Sequence, residues 1–156
     1  MKIKYLIVLV ALTASFAACK KGKSLDVEAQ FKADTTAIRS YVTANNISVK
    51  KTSTGIFYQV IAPGSGSVNY SKSTQISADY QGKIMGGSVF DDSKGTPITF
   101  PLGGVIEGWQ IGIPLIQKGG KIRLFIPSFY GYGASGSGPI PPNAILDFSI
   151  TLVNVQ

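Results

Sequence analysis

Val105-Ile106-Glu107-Gly108-Trp109 contains the only Trp of the chain. The preceding Leu102-Gly103-Gly104 forms a loop in which glycine turns the backbone without a Cβ penalty, and the stretch itself reads as the start of a short helix. An isolated Trp reads first as a core anchor, because of its large burial area. Its company changes that reading. Strand-like runs on both sides carry Tyr80, Phe90, Tyr132 and Phe148, aromatics placed to converge on the indole.

Working outward, Gln75 to Gln81 alternates cleanly, with Ile76, Ala78 and Tyr80 on one face and Gln75, Ser77, Asp79 and Gln81 on the other. That pattern predicts a half-buried strand. Gly86-Gly87 reads as a turn, Ser88-Val89-Phe90 as a short strand ending in Asp91-Asp92-Ser93, and Ile98-Thr99-Phe100 as another strand. Pro114 is expected to end or kink the Trp109 helix. From Lys121 to Pro127, Ile122, Leu124 and Ile126 are expected inward and Lys121, Arg123 and Phe125 outward. Tyr130-Gly131-Tyr132-Gly133 opens a small-residue loop closed by Ile140-Pro141-Pro142-Asn143, and Ile145 to Val155 puts Leu146, Phe148, Ile150 and Leu152 on one face. Upstream, Thr54 to Ile61 reads as a strand and residues 62–67 as its turn; this Gly-rich turn lacks the Lys-Ser/Thr ending and following helix of a phosphate loop. Five or six strands around one short helix predict an α+β fold: a twisted antiparallel sheet wrapped on that helix.

A chain of 156 residues suggests one domain plus appendages, and 18 Gly with 8 Pro at 44% hydrophobic content suits a turn-rich β fold with a packed core. With no His and one Cys, His-based acid–base chemistry, intrachain disulfides and an ordinary zinc site are excluded. The net charge of +7 is concentrated outside the domain: residues 52–156 carry six Lys or Arg against five acids, whereas residues 19–51 carry seven against three. A nucleic-acid reader holds its basic patch on the domain, so nucleic acid is not an expected partner, and neither a metal nor a cofactor is expected.

Residues 1–18 combine Lys2 and Lys4, the apolar run Leu6 to Leu12 and small residues before Cys19, the plan of an export signal too short to span a bilayer. The small residues ahead of a lone Cys resemble a bacterial lipoprotein signal, although Phe16 stands where Leu is usual. This marks Cys19 for lipidation, and two or more acyl chains would anchor it stably. The alternative is a plain signal peptide with an incidental Cys. Residues 19–25 form a basic tether with Lys20, Lys21 and Lys23, suited to anionic headgroups or simply to water. A Lys directly after the Cys resembles lipoproteins sorted to the outer membrane, facing the periplasm. Residues 26–51 hold a helix and linker: Val27, Phe31, Ile38, Tyr41 and Val42 share a helical face, Asp26 and Glu28 suit its positive end, and Asn45-Asn46 ends it. Such a helix is marginal alone and is expected to pack on the domain or on a second copy.

From about Thr52 to Gln156 the chain resembles an FKBP-type peptidyl-prolyl cis-trans isomerase domain. The matching segments are Asp79-Tyr80-Gln81-Gly82, Gly87 to Ser93, Phe100-Pro101-Leu102-Gly103, Val105 to Trp109, Gly119-Gly120-Lys121, Tyr132-Gly133 and Ile140 to Ala144 with Phe148. The resemblance implies a proline pocket floored by Trp109, walled by Tyr80, Phe90, Val105, Ile106 and Phe148, with Ile140 on the flap. It also implies hydrogen bonds to substrate carbonyls from the Tyr132 hydroxyl and the Ile106 N–H, and Asp91 as the carboxylate at the rim. Ile98 stands where the family often has an aromatic wall. Proline-containing polypeptides are then the expected substrates, and macrolides the expected inhibitors. Taken without the resemblance, Tyr80 and Phe148 read as core, Asp91 and Asp92 as turn residues, and Tyr130 as a packing or surface residue. Two other classes of function compete with an isomerase assisting the folding of exported proteins. One is a peptide-binding or chaperone module using the same groove without turnover; the other is a structural subunit of an envelope complex such as motility machinery.

Overall fold

The computed structural model describes residues 21–156, and side chains from residue 26 onward. The export signal and Cys19 lie outside the described residues. The strands are β1 (Lys50–Lys51), β2 (Phe57–Ala62), β3 (Gln75–Ile84), β4 (Val89–Asp92), β5 (Ile98–Pro101), β6 (Lys121–Ile126) and β7 (Leu146–Val155). They form one antiparallel sheet in the order β1-β2-β6-β7-β3-β4, with β5 also on β3.

The Gln75–Gln81 alternation marks the central strand. β3 continues to Ile84 because β7 pairs with it from Ile76↔Val155 to Ile84↔Leu146, with one irregularity at Ser77/Ala78. Its other edge is divided, Gln75 to Ala78 pairing with β5 and Gln81 to Lys83 with β4. Ser93 fills the gap at Tyr80. Its Oγ accepts the Tyr80 N–H at 2.8 Å and its N–H donates to the Tyr80 carbonyl at 3.0 Å, while its hydroxyl donates to Asp79.

Helix α2 (Glu107–Gly112) lies in the concave face and passes into a 3-10 turn at Ile113–Leu115, where Pro114 denies it an interior N–H. Two glycines let it approach: a Cβ on Gly108 would come within 2.5 Å of Ile126 and one on Gly112 within 2.5 Å of Leu124. The core between α2 and the sheet takes Ile76, Ala78, Ile122, Leu124, Ile126, Leu146, Ile150 and Leu152, all buried, as the alternation predicts for β6 and β7.

The outer face differs from expectation. Phe125, assigned outward, is fully buried, because helix α1 (Lys21–Ala44) covers that side of the sheet. Ile38 and Val42 of α1 close a second core over Phe57 and Phe125. The helix therefore packs on its own domain. Asp26 and Glu28 fall beyond the first turn of the described helix, so they do not neutralise its start. Asn46, at φ 54°, ends it in a left-handed cap, with the Ile47 N–H returning to the Val42 carbonyl at 2.8 Å. The same face buries Asp147, held by Arg123 through two bonds of 2.9 and 2.8 Å and by Lys83 at 3.5 Å. Among the described residues, no helix is long and apolar enough to cross a membrane.

Candidate functional site

Trp109 enters the concave face from the first turns of α2 and is 4% exposed. Tyr80 from β3 and Phe148 from β7 meet it edge-on, at ring separations of 5.1 and 5.3 Å and interplanar angles of 87° and 85°. Phe100 from β5 does the same at 6.2 Å. Edge-to-face packing sets the positive rim of one ring against the negative face of another, and it stands the three rings up as walls around the indole. The result is a cavity of about 300 Å³ that Asp91, Val105, Ile106 and Tyr132 complete.

Each wall has a local cause. Gly82, on β3, leaves room for the rings: a Cβ there would lie 2.5 Å from Phe148 and 2.8 Å from Phe90. Phe90 itself does not line the cavity but braces Phe148 from behind, edge-on at 5.5 Å. Ile106 sits at the N-cap of α2, its carbonyl accepting the Trp109 N–H at 2.9 Å. Among the described residues, its own N–H reaches no backbone carbonyl. Gln110 fixes the Val105 carbonyl through a 2.8 Å bond from Nε2.

The polar groups occupy the rim. The Tyr80 hydroxyl donates to Asp91 Oδ2 at 2.7 Å, and Asp91 Oδ1 accepts the Asp92 N–H at 2.9 Å. Burial raises the Tyr80 phenol well above its ordinary pKa, and the hydrogen bond and charge of Asp91 add to it. Burial also raises the Tyr132 phenol, with the charge of Asp91 second. Both therefore remain protonated donors at neutral pH. With the Tyr80 hydroxyl committed to Asp91, Tyr132 is the phenol left for a ligand. Trp109 Nε1 is buried with no hydrogen-bond partner among the described residues, an arrangement that costs about 1–3 kcal/mol in a native fold.

Besides Phe90, two sequence-expected residues stand outside the cavity. Ile98, opposite Ala78 at the start of the edge strand β5, is 41% exposed and lies outside the cavity; Phe100, two residues on, supplies that wall. Ile140 is 6% exposed and belongs to the core, because the flap folds back on itself: Ser137 and Ile140 exchange both backbone bonds, at 2.9 and 2.8 Å. From the sequence, Phe100 reads as a strand residue and as part of a family-like segment, with no place in the pocket. The available signal is period two, which puts Phe100 on the same face as Ile98, the wall residue expected. Among the described residues, no group of three or more His, Cys, Asp or Glu side chains comes together to hold a metal.

A sheet wrapped on one short helix, with an aromatic cavity floored by the helix Trp, defines a domain of the FKBP type. Residues 66–153 match the family described as FKBP-type peptidyl-prolyl cis-trans isomerase, and the chain belongs to that family. It is similar to the FKBP-type peptidyl-prolyl cis-trans isomerase FkpA of Escherichia coli (strain K12), 42% identical over 115 residues, covering 72% of this chain and 42% of that protein. The chain thus spans less than half the length of this curated relative. The crystal structure of FkpA from Escherichia coli superposes with a TM-score of 0.69 at 38% identity, over 86% of this chain and 61% of that one. A peptidyl-prolyl cis-trans isomerase from Pseudomonas syringae pv. tomato gives 0.68 at 33% identity, over 83% of this chain and 96% of that one.

Proposed function

We propose that this protein catalyses cis–trans isomerisation of peptide bonds preceding proline in polypeptides, and that the cavity over Trp109 is where it does so. The observation that carries the reading is the cavity itself, three aromatic walls edge-on to a Trp floor with a phenol and a carboxylate on its rim, in a chain of this family.

The chemistry asked of it is rotation, not bond-making. Resonance holds the amide planar with a barrier of ~18–20 kcal/mol, and free X–Pro bonds exchange in roughly 10–100 s. A site lowers that barrier by binding the twisted amide more strongly than the planar one. The prolyl ring stacks on Trp109 between Tyr80, Phe100 and Phe148. The Tyr132 hydroxyl and the Ile106 N–H bond flanking carbonyls of the chain, holding one side while the other turns. The apolar walls remove water from the amide oxygen, and so from the charge-separated planar form. Asp91 acts through Tyr80, fixing that wall by its 2.7 Å bond, and gives the rim a negative charge. A macrolide that fills the cavity would compete with substrate.

The leader supports a place for the activity. Lys2 and Lys4, the apolar run and the small residues before Cys19 fit a protein exported and lipid-anchored in the bacterial envelope, at the outer membrane facing the periplasm, where it would assist folding of exported proteins. Cys19→Ser is then expected to release the protein from the membrane fraction.

The test of the activity is exchange of a short Leu-Pro peptide by the full chain in detergent, beside Asp91→Val and Tyr132→Phe. Rapid exchange in the wild type, reduced about tenfold or more in Tyr132→Phe for the loss of one hydrogen bond worth ~1.5 kcal/mol, is the expected result. Full activity in both variants would reject the site. No exchange from a folded wild type would leave a peptide-binding module or an envelope-complex subunit in its place.

A further inference from the structure

Helix α1 does more than cover the outer face. Asp34, on its inner side, is 3% exposed, and its Oδ2 accepts both the Ser128 N–H at 2.8 Å and the Ser128 hydroxyl at 2.6 Å. Its Oδ1 accepts from Gln30 Nε2 at 2.7 Å. Ser128 opens the 3-10 turn Ser128–Tyr130, closed by the Gly131 N–H on the Ser128 carbonyl at 3.0 Å. One helical turn earlier, Phe31 packs edge-on against both Phe129 and Tyr130, at 6.3 and 5.9 Å. Behind Phe31 stands Gly55, at φ 103°, where a Cβ would fall 2.5 Å from the ring. A wedge and a clamp from α1 thus hold three consecutive residues. Immediately beyond this turn come Gly131 and then Tyr132, whose carbonyl accepts the Gly136 N–H at 3.2 Å to begin the flap, and whose side chain lines the cavity.

A buried carboxylate is costly unless its oxygens are satisfied, and an apolar side chain would glue α1 to the sheet as well, as Ile38 and Val42 do a turn or two further on. What a carboxylate adds is direction. Charge-assisted bonds to the backbone and side chain of one residue fix both its place and its orientation.

We propose that Asp34 is a positioning residue for the cavity: by clamping Ser128 it sets where the Tyr132 hydroxyl stands, so that the N-terminal helix is part of the isomerase site. The inference rests on the function proposed above. Catalytic groups tolerate little displacement, a shift of about 1 Å costing on the order of 10²-fold.

A double-mutant cycle on the full chain tests this. Asp34→Ala is expected to lower kcat/KM for a Leu-Pro peptide about tenfold when Tyr132 is present and less than about twofold in a Tyr132→Phe background, since residues acting as one unit are non-additive. Ser128→Ala, which keeps the backbone bond, follows the same pattern with a smaller fall. Should Asp34→Ala fail to fold, Asp34→Asn takes its place in the cycle, with one acceptor oxygen retained and an intermediate loss expected. An equal fall in both backgrounds, or none in either, overturns the proposal. Amide hydrogen exchange on the same proteins separates it from the isomerase reading. If the wild type proves inactive, that reading fails, and Asp34 is judged by exchange alone. Faster exchange concentrated at residues 130–136 in the variant supports the clamp; unchanged exchange there overturns it.

Discussion

On the outer face of the sheet, Phe57 and Phe125 lie under Ile38 and Val42 of α1 and are closed to water. On the inner face, Tyr80, Phe100 and Phe148 stand edge-on around Trp109 and leave about 300 Å³ open. The side chains are alike and the alternation that sorts them is the same. They differ in their covering element. A 24-residue helix spans the outer side, whereas six residues of α2, drawn in by Gly108 and Gly112, support only one side of the inner aromatic cluster. The polar groups divide in the same way. The outer carboxylate, Asp147, is paired by Arg123 and shut in, while Asp91 stands at an open rim on a tyrosine. Aromatic clustering fills a closed core on the outer side and borders a cavity on the inner one, the cavity proposed as the binding site.

The strongest way to break that contrast is to remove one large ring from each side. Trp109→Ala and Phe125→Ala should each destabilise by about 3–5 kcal/mol in denaturant titrations. Only Trp109→Ala should also abolish isomerisation in the molecules that remain folded. Equal loss of activity in both would mean that the two faces are not functionally distinct.

Removing a charge probes the closed side next. Arg123→Met leaves Asp147, its side chain 0% exposed, with Lys83 alone at 3.5 Å, and should cost about 3–5 kcal/mol, most of it recovered when Asp147→Leu is added. Peptide exchange should be unchanged in the double variant, because the pair lies on the face away from the cavity.

How far these faces were legible in the sequence follows from their range of interaction. Period-two alternation located β3, β6 and β7 and sorted Ile122, Leu124 and Ile126 inward, since facing is a local property of a strand. It put Phe125 on the face away from α2 but missed its burial, because that depends on a helix some 80 residues away in the chain. The Asp34–Ser128 clamp joins residues 94 apart and leaves no local pattern. β1, two lysines long, is too short for any periodicity. At the site, motif order singled out Trp109, Tyr80, Phe148, Tyr132 and Asp91, which the structure brings together around one cavity. Ile98 lies outside the cavity and Phe100 lines it, although period two puts both on one face, so alternation alone could not choose between them.

The smallest expected effect is in pH. Burial, and then the charge of Asp91, raises Tyr132, and burial, followed by the Asp91 bond, raises Tyr80. As pH climbs through about 10, the ordinary phenol value, the unfolded chain releases these two protons while the folded chain keeps them. The unfolded state then binds fewer protons, so stability falls with rising pH. Urea midpoints should be insensitive to both groups below about pH 9 and decline above about 10. The decline should be shallower in the Tyr80→Phe, Tyr132→Phe double variant, and an equal slope would show that the rim phenols are not buried as described.

Because Trp109 is the only Trp, its fluorescence reports on the cavity floor alone. Titrating the full chain with a Leu-Pro peptide is therefore the most direct test that the open aromatic face is the working one. A saturable change in Trp109 emission, weakened in Tyr132→Phe and abolished by a competing macrolide, is the predicted result. Peptide exchange that saturates while Trp109 emission stays constant would contradict the account and move the chemistry away from this cavity.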